Sequence, residues 1–110
     1  MWIATLELDL LLGDVHSLKQ KRSVVRPLVS EIRRRHDVSV AEVGHRDVHR
    51  RTIIGASVVS GDRSHAVGVM EAVERMVASR PEVQLLSARP RCYSSEDLEK
   101  IGRASCRERV

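Results

Sequence analysis

Seven cations stand between positions 19 and 35, namely Lys19, Lys21, Arg22, Arg26, Arg33, Arg34 and Arg35, against one acid, Glu31. Ammonium and guanidinium groups gathered on one element neutralise phosphates. Binding of that kind is salt-dependent and largely blind to base sequence. Positions 19, 22, 26 and 33 follow helical spacing, so several of these side chains share one face of a helix. A second basic stretch follows closely. Together they form a candidate nucleic-acid or anion-binding set of Lys19, Lys21, Arg22, Arg26, Arg33, His45, Arg50 and Arg51. The competing reading is a solvated helix face that keeps the domain soluble, with its last arginines complementing the helix dipole.

Other chemistries are weaker. In an extended segment His45, Asp47 and His49 would share a side and converge on a metal, with Glu42 as a fourth ligand. Gly44 predicts a turn instead, where polar residues satisfy their own backbone, so no metal site is expected. Ser17 or Ser60 can be paired on paper with His16, His45 or His65, but no spacing fixes their geometry. Glu7 and Asp9 lie two apart on a strand face expected to be wet, where nothing argues for a raised carboxylate pKa. The turn Ser60-Gly61-Asp62-Arg63 lacks the spacing of a phosphate-binding loop. Cys92 has no CxxC partner and reads as an inert thiol. The expectation is a non-enzymatic protein without a cofactor.

These residues need elements to position them. Residues 2–11 alternate, with Ala4, Leu6, Leu8 and Leu10 on one side and Ile3, Thr5, Glu7 and Asp9 on the other, which predicts a half-buried strand. Ser17, with Gln20 three residues on, is a capping box. Leu18, Val25, Leu28 and Ile32 then recur at helical spacing to a stop near His36-Asp37, and Pro27 inside that pattern predicts a kink or a frayed first turn. Strands are predicted over 38–43 and 51–60. A second helix, capped by Asp62 or Ser64, runs to about Ala78 with Val69, Met70, Val73, Met76 and Val77 inward. The last strand is predicted over 83–88, with tail from Arg89 onward and a weak capping pattern at Ser94–Asp97.

The order β-α-β-β-α-β predicts an α+β fold, a ferredoxin-like split βαβ with a four-stranded antiparallel sheet and two helices on one face. The first and third strands are expected to form a parallel pair through a right-handed crossover. The other sheet face is left to water or a second subunit, making a homodimer through the open sheet face a candidate. The first and third strands offer that face no aromatics and two carboxylates, which argues against base stacking there.

Composition sets limits. The 110 residues are 42% apolar and 31% charged, an ordinary globular balance, with Trp2 and Tyr93 as the only aromatics. No apolar run is long enough for a membrane span, and the first residues lack a signal-peptide layout, so a cytoplasmic location is expected. Residues 101–110 resemble a short-read sequencing adapter read as codons and are set aside as an artefact. That leaves one domain over residues 1–90 and a disordered tail over 91–110. Residues 16–51 then carry ten Lys/Arg against four Asp/Glu, whereas the rest of residues 1–100 carries six against ten. The chain is a charge dipole more than a uniformly basic protein.

Three segments carry a resemblance. Ser17-Leu18-Lys19-Gln20-Lys21-Arg22-Ser23-Val24-Val25-Arg26, then Asp37 to His45, then Ala56-Ser57-Val58-Val59-Ser60, are similar to the YlxP-like bacterial family over about residues 1–90. The resemblance implies a ferredoxin-like fold, a bacterial cytoplasmic protein and a gene set among those for transcription termination, translation initiation and ribosome maturation. It supplies no catalytic residue. RNA or a ribosomal particle is the partner expected for the basic helix; the alternative is a dimerising regulatory module with a small-molecule or protein partner.

Overall fold

The computed structural model describes residues 1–100. The elements are β1 (Trp2–Leu12), α1 (Leu18–His36), β2 (Ser39–Gly44), β3 (Arg51–Ser60), α2 (Arg63–Ala78) and β4 (Val83–Ser94). The strands form one antiparallel sheet in the order β2-β3-β1-β4, an α+β ferredoxin-like arrangement. β1 and β3 are neighbours and antiparallel, which corrects the expected parallel pair. The strands joined through α1 are β1 and β2, and β3 lies between them; this insertion is what splits the βαβ unit.

Period two decides which side of β1 is covered. Ala4, Leu6, Leu8, Leu10 and Leu12 are all at most 1% exposed. Ile54 and Ala56 of β3, Val25, Leu28 and Ile32 of α1, and Ala66, Met70, Val73 and Val77 of α2 complete the same core. With almost no aromatic residue available, small side chains such as Ala4, Ala56 and Ala66 let the layers approach closely.

α1 begins where Ser17 Oγ accepts from the Gln20 amide at 3.1 Å, while Gln20 Oε1 accepts from the His16 amide at 2.6 Å. Two otherwise orphaned donors are thereby satisfied. The helix runs unbroken through Pro27 and stops at Asp37, whose φ of 48° is left-handed and whose amide donates to the Arg33 carbonyl. Asp62 caps α2 by accepting from the Ser64 amide at 3.1 Å.

β4 runs six residues past its expected end at residue 88, pairing with β1 as far as Trp2↔Ser94. Pro90 is accommodated within this extension because β4 is an edge strand and needs ladder bonds on one side only. Residues 91–94 therefore belong to the sheet rather than to a disordered tail, and residues 95–100 are helical. Ser94 and Asp97 cap that last segment: the Asp97 carboxylate accepts from the Ser94 amide at 3.0 Å. This bond, first among the causes, lowers the Asp97 pKa. The adapter-like stretch 101–110 lies outside the described residues. Among the described residues no helix is long and apolar enough to cross a membrane.

Candidate functional site

α1 and β2 enclose a groove of about 830 Å³. Its floor is apolar, from Leu18, Val25, Val29 and Val40, and its walls carry Arg22, Arg26, Arg33 and Arg46. At about 100° per residue, Lys19, Arg22, Arg26 and Arg33 fall within an arc of about 60° on α1. That arc flanks the core stripe on the β2 side. Arg22 and Arg26 are exposed there, and Lys19 is exposed at the rim, next to them on the helix surface.

At the base of the groove lies an ion pair between a buried lysine and a half-buried glutamate. Lys21 is 2% exposed. Its Nζ reaches Glu42 Oε2 at 2.8 Å, the His45 carbonyl at 2.5 Å and the Arg46 carbonyl at 3.3 Å. An ammonium has three donors, and all three are engaged. Thr52 Oγ1, fully buried, donates to the same Glu42 oxygen at 2.5 Å. The network cancels the Glu42 charge and pins the β2–β3 turn, which also closes through the Val48 amide and the His45 carbonyl at 3.1 Å. Arg46 sits on that turn and so faces the groove from the side opposite α1.

Two backbone features make the arrangement possible. His45 takes a left-handed φ of 55°, which turns the chain out of β2. At Gly44 a β-carbon would stand 2.8 Å from Ile53 Cδ1, so the bulge between Glu42 and Gly44 needs a residue without a side chain.

The expected set of eight divides. Lys19, Arg22 and Arg26 are exposed on the α1 surface with no ion-pair partner among the described residues, and exposed Arg33 donates to the Val40 carbonyl at 3.0 Å, bridging α1 to the β2 edge. Lys21 is internal and cannot meet a phosphate, which corrects its place among the contacts. Arg50 Nε donates to the Gly13 carbonyl at 3.0 Å. Arg51 Nη2 holds both Asp9 carboxylate oxygens at 2.7 Å on the open sheet face, away from the groove. His45 is exposed, while its carbonyl serves the lysine.

The residue missed was Arg46, counted in the charge and not among the contacts. A signal for the Lys21–Glu42 pair was present. Lys21 fills the gap in the stripe 18, 25, 28, 32, and Glu42 follows Val38 and Val40 on the inward side of β2. Two opposite charges at core-facing positions predict each other.

The other candidate constellations do not assemble. Glu42 is taken by Lys21 and Thr52, and residues 45–48 form a turn rather than a strand. Among the described residues no three His, Cys, Asp or Glu side chains gather into a group. Ser17 and Ser60 accept backbone amides, from Gln20 and Asp62 respectively. At the far end of α1, Glu31 receives Arg80 and Arg35. Hydrogen bonding from Arg80, foremost, lowers the Glu31 pKa.

Comparison with known proteins gives a family and no activity. Residues 3–90 match the family described as "Protein of unknown function (DUF503)". The chain is also similar to the uncharacterized protein YlxP of Bacillus subtilis (strain 168), with 30% identity over 78 residues, 71% of this chain and 85% of that protein.

Proposed function

The chain belongs to the DUF503 family of proteins of unknown function, and from that premise we propose that it is a non-catalytic RNA-binding protein whose α1–β2 groove grips the phosphate backbone. The single observation that carries this reading is the cancellation of the groove's internal acid. Glu42 is paired with buried Lys21, so Arg22, Arg26, Arg33 and Arg46 face the groove against Asp47 alone. Cations on both walls suit a polyanion better than a small acidic ligand, since they contact successive charges along it. RNA, free or within a ribosomal particle, is the polyanion in question.

The test is binding of the full chain to a labelled structured RNA at low salt, followed by fluorescence anisotropy. Arg22→Glu with Arg26→Glu should lower the affinity more than tenfold, whereas Arg75→Glu on α2 should change it less than twofold. Equal loss in both variants would point to general charge rather than to the groove. No affinity in the unsubstituted protein would end the proposal.

A further inference from the structure

The extra length of β4 changes the open sheet face. Along β1, Ile3, Thr5 and Glu7 pair with Tyr93, Arg91 and Arg89 of β4. On the other side they pair with Val59, Ser57 and Gly55 of β3, and Ser57 and Gly55 pair in turn with Ser39 and Ala41 of β2. Side chains directly opposite one another share a face, so the open side is built in rows. One row reads Ser39, Ser57, Thr5, Arg91: three hydroxyls ending in a guanidinium. The next reads Ala41, Gly55, Glu7, Arg89, and the third brings Tyr93 beside Ile3. Successive rows are about 7 Å apart.

These rows line a shallow groove of about 610 Å³. Its floor is small and polar. Arg89 and Arg91 are exposed, and neither has an ion-pair partner among the described residues. Tyr93 is half-buried beside them. The chemistry offered is a ring face for stacking, hydroxyls and one carboxylate for the edge of a base, and two guanidinium groups for a phosphate. The face is also continuous with the site already described. Val40 and Ala41 line both grooves, so only the width of β2 separates them.

We propose that the open sheet face holds an unpaired nucleotide of single-stranded RNA, with its base on Tyr93 and its phosphate against Arg91 and Arg89. The inference rests on the RNA reading of the α1–β2 groove and adds a preference for single strands, because a duplex keeps its bases stacked inside. A second copy of the chain is a poorer occupant. The large exposed apolar side chains here are few: Val43 lies over Gly55 and Val59 stands outside the groove, while Ser39, Ser57, Thr5, Glu7 and the two arginines make the rest of the lining polar.

The experiment compares a labelled single-stranded RNA with the same sequence annealed into a duplex, using the full chain. Tyr93→Ala should weaken the single strand about five- to a hundredfold, the range for loss of one stacked base, and shift the duplex less than twofold. Tyr93→Phe, which keeps the ring, should restore single-strand affinity. Arg91→Gln, at an exposed position, gives a second readout if Tyr93→Ala does not fold, and should weaken the single strand selectively. Equal effects on both RNAs, or none, would overturn the open-face site while leaving the groove reading intact if Arg22→Glu with Arg26→Glu still lowers the affinity more than tenfold. Adenosine monophosphate competing as well as the oligonucleotide would overturn it in favour of a free nucleotide. A dimer in light scattering without RNA, broken by Tyr93→Ala, would overturn it in favour of a second copy. Failure of the unsubstituted protein to bind either RNA would overturn both readings.

Discussion

The two sides of β2 use the same kinds of residue differently. On the helix side an acid and a lysine point inward, neutralise each other and leave arginines as the exposed charge. On the open side acid and base stay at the surface: Asp9 is held by Arg51, and Glu7 shares the groove with Arg89 and Arg91. The helix side therefore presents four arginines against one acid, Asp47, over an apolar floor, and the open side presents a mixed polar surface. Net charge counts cations; burial and pairing decide which of them a partner meets.

The largest effect should come from the internal pair. Lys21→Ala leaves two carbonyls without this donor and Glu42 with Thr52 as its remaining one. Leaving buried polar groups without a partner costs about 1–3 kcal/mol, and urea denaturation should register a loss of that order, since Glu42 is partly open to water and the pair is not buried on both sides. A change under about 0.5 kcal/mol, the range of ordinary surface substitutions, would mean that Lys21 is not the internal clamp described.

The surface arginines should behave in the opposite way. Arg22→Glu with Arg26→Glu should leave the urea midpoint nearly unchanged while RNA affinity falls more than tenfold. Losing both together would show that the two roles are not separable as β2 separates them.

A smaller contrast lies within the basic stretch itself. Arg50 and Arg51 are spent on Gly13 and Asp9, so Arg50→Ala and Arg51→Ala should each change RNA affinity less than twofold in the anisotropy assay. Arg46→Ala, on the β2–β3 turn and facing the groove, should weaken binding more than either. The reverse ranking would move the site from the α1–β2 groove to the start of β3.

The smallest effect concerns pH. Glu31 has a lowered pKa in the folded protein, so its stabilising contribution is fully present above the unfolded carboxylate pKa and is lost as pH falls through the folded value. Glu31→Gln should lower Tm slightly at neutral pH and flatten its fall in acid. Because Glu31 lies at the surface, partly exposed beside Arg80 and Arg35, solvent screening should keep the effect modest. Identical acid limbs for both proteins in thermal melts would show that the pair contributes nothing.

Much of this architecture was legible because local signals agreed. β1 alternates over its whole length, the Ser17–Gln20 box marks the start of α1, and the left-handed Asp37 coincides with the expected stop. What escaped depended on tertiary context. The expected end of β4 at residue 88 falls short of Ser94, because the pairing of residues 89–94 with β1 is a tertiary contact that no local pattern announces, and with it go the two arginines and the tyrosine of the open face. The candidate site was legible as a composition and a helix face. Which cations were free was not, because that depends on carbonyls and carboxylates brought from Gly13, Val40, His45 and Asp9 by the fold.

The central claim is that the cations on the two walls of the α1–β2 groove contact phosphates. Its most direct test is the slope of log affinity for RNA against log salt, measured for the unsubstituted protein and for Arg22→Ala, Arg26→Ala and Arg46→Ala combined. Each phosphate contact contributes about 0.7 to 0.9 to that slope, so the triple variant should lose about two units or more of it while remaining folded. An unchanged slope, or no RNA affinity in the unsubstituted protein at about 50 mM salt, where backbone contacts are strong, would contradict the account.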